Sequence, residues 1–371
     1  MKITKLETFF VKPRWLFLKV HTDAGIVGLG EPIVEGRAQT VATAVQEIGR
    51  YLIGQDPRRI EHHWQAIYRG QFYRGGPVLC SAISGIEQAL WDIMGKWLGQ
   101  PVHQLLGGRT RDKIRVYGWL HGDTYGDYIE SAKVGVDAGF TAFKTGIVGP
   151  VDIVDTQAVL EKNVQRFADL REAVGKEADI GIDFHGRISP AMAVRLAQAL
   201  EPYYPMFIEE PVLPENVDTM VTVARSTTIP IATGERLFAK WGFREVLEKQ
   251  AAVILQPDIS HAGGILETKK IAAMAEVYYA GIAPHCPLGP IALAACLQLD
   301  ACIPNFLVQE HVTTGEGYLK EPFKIVDGYI SVPEKPGLGI ELDEEAIADK
   351  LYDGSWETPR LWHNDGSVAD W

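Results

Sequence analysis

Six ionisable residues stand at near-even intervals in the second half of the chain: Asp183, Glu209, Glu235, Asp258, His285 and Glu310. The steps between them are 26, 26, 23, 27 and 25 residues. Each ends a short apolar run, as in "IGIDFH", "MFIEEP", "IPIATGE", "AVILQPD", "GIAPH" and "NFLVQE". Three carboxylates brought close together cannot all stay ionised without a cation. The oxygen donors of Asp183, Glu209 and Glu235 suit a hard ion, and Mg²⁺ keeps open positions for water and substrate. Taken singly, each acid could instead cap a helix or pair with Arg187 or Arg236. The set of three favours the ion.

Asp258 and His285 form a second unit. A carboxylate beside an imidazole raises its basicity and fixes its tautomer, so the pair reads as a general base. His285 alone would read as a packing residue. In "GIDFHGR", Asp183 and His185 lie two apart, and in a strand they share one face. His62 and His63 fall on a polar helical stretch and are expected on a solvated face. His261 in "DISHAGG" is left unassigned.

An interval of about 25 residues is the length of one strand–helix unit. Eight apolar runs recur, at 114–119, 141–146, 180–185, 206–211, 229–235, 252–258, 281–285 and 305–310. Continuous apolar runs mark parallel strands buried on both faces. Eight of them predict a closed barrel whose site lies at the C-terminal strand ends. A doubly wound open sheet is the alternative.

Before the barrel, "KITKLETFFV" and "WLFLKVHTDAG" alternate as strands, and helical spacing covers 38–53, 57–69 and 78–99. After it, "EPFKIVDGYISVPEKPGLGI" reads as strands and turns that return to the first domain. The expected fold is α/β: a (β/α)₈-type, modified TIM barrel with an N-terminal α+β capping domain completed by the C-terminal segment. The boundaries are placed at 1–112, 113–318 and 319–371.

The chain has 371 residues, 46% of them hydrophobic and 23% charged, with a net charge of −12. This length allows a large core and two domains. The negative charge argues against a nucleic acid or an anionic membrane as partner. It leaves an anionic small substrate open, because a bound cation inverts the local sign. Four cysteines show no metal spacing and read as buried thiols in a reducing compartment. No run approaches about 18 apolar residues, so a cytoplasmic protein without a membrane span is expected.

The capping domain, the barrel and the Asp/Glu/Glu set on three successive strands resemble the enolase superfamily. A His on the seventh strand with Asp on the sixth resembles its mandelate racemase subgroup. Within it, "RWLFLKV", "YLIGQDP", "FYRGGP", "GIDFHGR", "FIEEPVLPE", "ILQPDISHAGGI", "APHCPLGPIALAACL", "KPGLGIELDE" and "SVADW" are similar to D-galactonate dehydratases, over nearly the whole chain. Two departures stand out. Where the subgroup often carries Lys-x-Lys on the second barrel strand, this chain has Lys144-Thr145-Gly146, and glycine cannot move a proton. The segment 311–330 matches only weakly.

The resemblance implies Mg²⁺-dependent dehydration of an aldonic acid, D-galactonate in the first instance, with D-mannonate or gluconate as alternatives. His285 would take the C2 proton, His185 would protonate the leaving C3 hydroxyl, and Glu310 would hydrogen-bond a substrate carboxylate oxygen while itself protonated. Lys144 and Glu210 are expected as further contacts near the metal. Arg14, Trp15 and Arg74 of the capping domain are expected to close over the polyol, since a strand-end site needs a lid. A symmetric homo-oligomer, often an octamer, is also implied, and Trp119 and Trp241 could face a neighbouring subunit. A sugar-acid-binding barrel without catalysis and a metal aldolase are the competing classes. The full acidic set argues against the first, and the Asp258–His285 pair against the second.

Overall fold

The structure is a computed structural model that describes residues 1–118, 120–122 and 124–371. Trp119, in the first expected barrel strand, lies outside the described residues. Three antiparallel strands open the chain: Ile3–Val11, Trp15–Thr22 and Val27–Gly30. Their buried residues include Leu16, Phe17, Leu18 and Val20. The helices Ala38–Leu52 and Pro77–Leu98 pack onto them, and Ile60–Arg69 packs against the long helix Pro77–Leu98. The longest helix approaches the third strand so closely that a Cβ on Gly28 or Gly30 would collide with the backbone of Ala89 or Gly85. Glycine at those two positions lets a helix rest directly on a strand.

The barrel strands are Ala142–Gly146, Asp179–Asp183, Phe207–Glu209, Ile231–Thr233, Ile254–Leu255 and Gly281–Ile282, hydrogen-bonded in parallel in that order. Parallel bridges Gly118–Phe143, Val116–Gln309 and Ile282–Phe306 add a first and an eighth strand and close the ring. Helices follow the first seven strands, from Tyr125–Asp137 to Pro190–Leu200 and on to Pro290–Cys302. The eighth passes directly into the C-terminal segment. The closed ring rules out the open doubly wound sheet.

The run 114–119 is divided. Lys113–Arg115 pairs antiparallel with Tyr329–Ser331, and the chain joins the barrel only from Val116. Residues 113–115 pair with the C-terminal hairpin, while Arg115 O accepts from Gln309 N–H at 2.9 Å, and a reading of apolar runs cannot see that pairing. The C-terminal segment then makes three separate attachments. Leu338 N–H donates to Asp92 of the long capping helix at 2.8 Å, and Leu351 bridges Val11. Beyond them, a hairpin of Leu361–Trp362 with Val368–Ala369 reaches back to the barrel, where His363 lies 3.0 Å from Asp152.

Buried carboxylates join the two domains. Glu31 accepts hydrogen bonds from Gly289 and Ala292 N–H at 2.7 and 2.9 Å, at the start of helix Pro290–Cys302. Glu87 does the same for Ile265 and Leu266, at the start of helix Ile265–Val277. A carboxyl group at a helix N-terminus satisfies orphan N–H groups that the helix itself leaves unpaired.

His63 departs from expectation. It is fully buried, with Nδ1 at 3.0 Å from Tyr51 Oη and Nε2 at 2.8 Å from Asp56 O. Its helix turns His63 inward with Ile60 and Trp64 and leaves only His62 exposed. The four cysteines are buried and unpaired. Among the described residues, no helix is long and apolar enough to cross a membrane.

Candidate active site at the barrel mouth

Parallel pairing sets neighbouring strand ends at one level. Gly146 pairs with Asp183, and Asp183 with Glu209. The chain then turns sharply: His185, Gly186 and Glu210 have φ of 51°, 63° and 38°. Such left-handed backbone at non-glycine residues is uncommon and favours functional positions.

The carboxylates of Asp183, Glu209 and Glu235 each bring one oxygen within 4.8 Å of the others. Oε2 of Glu209 and Oε2 of Glu235 are buried and accept no hydrogen bond. Buried unpaired carboxylate oxygens are costly, and an all-oxygen set of this kind fits a hard divalent cation. Burial and the neighbouring Asp183 charge raise Glu209 to about 6. Burial raises Glu235 further. Asp183 goes the other way, to about 2: burial opposes its charge, but the hydrogen bond from His185 and the charge of Lys144 prevail.

Lys144 Nζ lies 2.9 Å from Glu209, 2.6 Å from Glu310 and 3.8 Å from Asp183. Burial disfavours the ammonium, yet those three carboxylates hold its pKa well above the usual lysine range. Lys144 and His285 keep Glu310 below the carboxylate range despite its burial. These charges favour the ionised form of Glu310, so its expected role as a donor requires them to be relieved. Its other oxygen accepts from Cys286 N–H at 2.9 Å.

His285 Nδ1 is 2.8 Å from Asp258 Oδ2. A carboxylate oxygen accepts, so Nδ1 is the donor, and in the neutral ring Nε2 presents its lone pair. Nε2 lies 3.6 Å from Glu235 and 3.9 Å from Glu310. Burial works against the imidazolium, but Glu235, Glu310 and Asp258 together raise His285 well above its ordinary value. The dyad extends backwards. His261 lies 3.7 Å from Asp258 and 2.9 Å from Ser81 Oγ of the long capping helix.

His185 Nδ1 receives a hydrogen bond from Arg187 at 3.0 Å, and its Nε2 lies 2.8 Å from Asp183 Oδ2. Arginine has donors only, so Nδ1 accepts and the ring proton sits on Nε2. The strands that carry His185 and His285 are four apart in the order of an eight-strand ring. The two imidazoles thus approach from opposite sides.

A cavity of about 350 Å³ lies among these groups, lined by Lys144, Asp183, His185, Glu235, His285 and Glu310 together with Arg14. Arg14 reaches it from the capping domain, paired with Glu35 at 2.7 Å and donating to Pro287 O at 3.2 Å. Three expected contacts do not line it. Glu210 is held by Arg236 through bonds of 3.0 and 2.5 Å, which spends its charge inside the wall. Trp15 is buried against Phe17 and Tyr318 and belongs to the core. Arg74 is exposed and borders a separate hollow with Tyr51, Tyr68 and Tyr73.

Sequence reasoning also missed cavity residues. Glu35 carries no motif of its own, and only its pairing with Arg14 reveals it. Tyr117 is buried with an unpaired hydroxyl and lies at the first strand, a position the strand pattern could have flagged. Trp371 lines the cavity from the far end of the sequence.

Residues 127–346 match the enolase C-terminal domain-like family, and residues 7–107 match the mandelate racemase / muconate lactonizing enzyme N-terminal domain. The chain belongs to the mandelate racemase/muconate lactonizing enzyme family of the enolase superfamily. Members of this family with known structures share its architecture. A mandelate racemase/muconate lactonizing enzyme from Sulfitobacter sp. superposes with a TM-score of 0.89 at 37% identity, covering 97% of this chain and 99% of its own. An enolase superfamily member from Salmonella Typhimurium gives 0.87 at 33% identity, covering 95% and 98%. Curated relatives are nearer in sequence. D-galactonate dehydratases from Cronobacter sakazakii and Ralstonia pickettii are each 51% identical over 382 aligned positions, covering the whole of both chains.

Proposed function

We propose that this chain is a Mg²⁺-dependent hydro-lyase that dehydrates an aldonic acid, D-galactonate to 2-dehydro-3-deoxy-D-galactonate. The observation that carries the reading is the pair of imidazoles on opposite strands of one cavity, beside three carboxylates. Full-length similarity to proteins named D-galactonate dehydratase supports the substrate.

Asp183, Glu209 and Glu235 would hold the ion. Bound there, Mg²⁺ supplies Lewis-acid stabilisation of the negative charge that develops on the substrate carboxylate. Neutralising Glu235 also removes the strongest carboxylate influence on His285 and favours its neutral form. His285 then accepts the C2 proton at Nε2, oriented by Asp258 through Nδ1. His185 protonates the departing C3 hydroxyl from the other side. For full transfer its ring would enter the step as the imidazolium, the second proton taken from solvent at Nδ1 in place of the Arg187 contact. The enol left behind tautomerises to the 2-keto acid. Lys144 orients the substrate carboxylate, Glu310 would donate to one of its oxygens once it carries a proton, and Arg14 contributes a charge from the capping side. Gly146, in place of a second base, leaves elimination rather than racemisation as the outcome.

This reading takes 1–112, 113–318 and 319–371 as capping domain, barrel and C-terminal segment. It takes the protein as cytoplasmic, in keeping with four unpaired thiols, and as a homo-oligomer, for which the half-exposed Trp241 offers an aromatic surface.

The test is a panel of aldonic acids (D-galactonate, D-mannonate and D-gluconate) incubated with Mg²⁺ and assayed for 2-keto product. Turnover of D-galactonate above the others is expected. Preference for another acid moves the substrate. Metal-dependent binding of all three with no product would leave a binding protein and remove the enzyme reading.

A further inference from the structure

Trp371 lies beside the reaction residues although nothing in the elimination itself calls for it. The hairpin before it is well defined. Leu361 pairs with Ala369 and Trp362 with Val368, and Asp365 Oδ1 accepts from Ser367 N–H at 2.9 Å within the turn. The contact of His363 with Asp152 ties this hairpin to the loop after the second barrel strand. Ala369 is buried, so the approach to Trp371 is anchored.

From there the indole meets two groups at once. Its ring centroid is 5.4 Å from that of His185, and Arg187 Cζ stands 5.6 Å from the indole centroid. Arg187 is the donor to His185 Nδ1. The same indole borders the cavity that holds Asp183, His285 and Glu310. His185 is thus met at Nε2 by Asp183, at Nδ1 by Arg187 and, with the two rings tilted by 41°, by Trp371.

The first two holds are single polar bonds, and the aromatic contact adds packing of a different kind. It also seats the Arg187 guanidinium over the indole ring. A misplacement of about 1 Å in a catalytic group can cost about 100-fold in rate, so packing that holds the ring matters for an acid.

We propose that Trp371 is a positioning residue for His185: its indole packs beside the imidazole and under Arg187, so that the acid keeps its aim at the leaving hydroxyl. This inference rests on the elimination reading above and deepens it. Trp371 acts through His185 and leaves the proton abstraction by His285 untouched.

The test compares Trp371→Ala and Trp371→Phe with the wild-type chain. In D₂O with D-galactonate and Mg²⁺, both the 2-keto product and deuterium at C2 of recovered substrate are measured. The alanine variant is expected to lose about tenfold or more in product formation, with exchange changed by less than about threefold, and phenylalanine to restore most of the loss. Parallel loss of both activities, or loss of neither, overturns the inference. A second arm needs no turnover. Carbethoxylation by diethyl pyrocarbonate, mapped by mass spectrometry, should reach His185 several-fold faster in the alanine variant and His285 at the wild-type rate. An unchanged His185 rate overturns the inference. Failure of the dehydratase reading would show separately, as a wild-type chain without product, and the carbethoxylation arm would then decide Trp371 alone.

Discussion

Asp183 and His185 are hydrogen-bonded to each other twice. The His185 backbone N–H donates to Oδ1 at 2.7 Å, and the ring Nε2 meets Oδ2 at 2.8 Å. The positive φ of His185 makes this closure possible, because it turns the backbone back over the strand end. A metal-ligand candidate and a proton donor are thereby fixed as one unit. The consequence is testable with His185→Asn, which keeps the backbone bond and removes the acid. Dehydration should fall by about 10²- to 10⁴-fold while exchange of the C2 proton continues. Dehydration within threefold of wild type would exclude His185 as the acid.

The Asp258–His285 pair makes a prediction about pH. Base catalysis requires neutral His285, so kcat/KM rises with pH on its acid limb. Asp258 is one of the carboxylates that raise His285, after Glu235 and Glu310. Asp258→Asn removes that influence, so the midpoint of the acid limb should move to lower pH. The rate on the plateau should also fall, by about 10²- to 10⁴-fold, because the tautomer is no longer fixed. A pH profile of kcat/KM checks both, and a midpoint that stays or rises would contradict the assignment.

Metal binding can be read without substrate. A ligand bound only by the folded chain stabilises it by about 2.7 kcal/mol at 100 times its dissociation constant. Thermal unfolding with increasing Mg²⁺ should therefore show a rising midpoint, reversed by a chelator. Glu235→Gln should lose the response, since it removes a ligand whose buried Oε2 accepts no hydrogen bond. An equal response in variant and wild type would place the ion elsewhere.

Glu31 predicts a pH-dependent stability. Burial raises its pKa to about 8 from an ordinary 4.5. A group raised on folding contributes stability that is complete below its unfolded pKa and is lost as pH rises through the folded value. The window is therefore about pH 4.5 to 8. Glu31→Gln removes this titration and places an amide donor opposite Gly289 or Ala292 N–H. It should be less stable than wild type at pH 5, with the gap narrowing towards pH 8. Glu31→Ala leaves both N–H groups unpaired, at a cost of about 2–4 kcal/mol. Urea denaturation across pH measures both, and a gap that widens with pH would refute the assignment.

Much of the scaffold was legible because barrel strands buried on both faces repeat at the length of one strand–helix unit. That rhythm locates Asp183, Glu209, Glu235, Asp258, His285 and Glu310, since each ends an apolar run. It fails where a side chain has two available directions. Glu209 and Glu210 are adjacent acids in "FIEEP", yet one joins the triad and the other binds Arg236. His62 and His63 divide in the same way, one exposed and one buried. Arg14 and Arg74 both stand in capping-domain motifs, and only Arg14 reaches the cavity.

The sequence by itself determined the barrel, the capping domain and the order in which acids and imidazoles arrive at the rim. Local periodicity and strand spacing encode these directly. Only the tertiary structure decided which charges are already paired, that Glu31 and Glu87 cap helices of the other domain, and that Trp371 comes to rest on His185. These depend on contacts between residues far apart in the chain: Trp371 is 186 positions from His185, and no local pattern records such a distance.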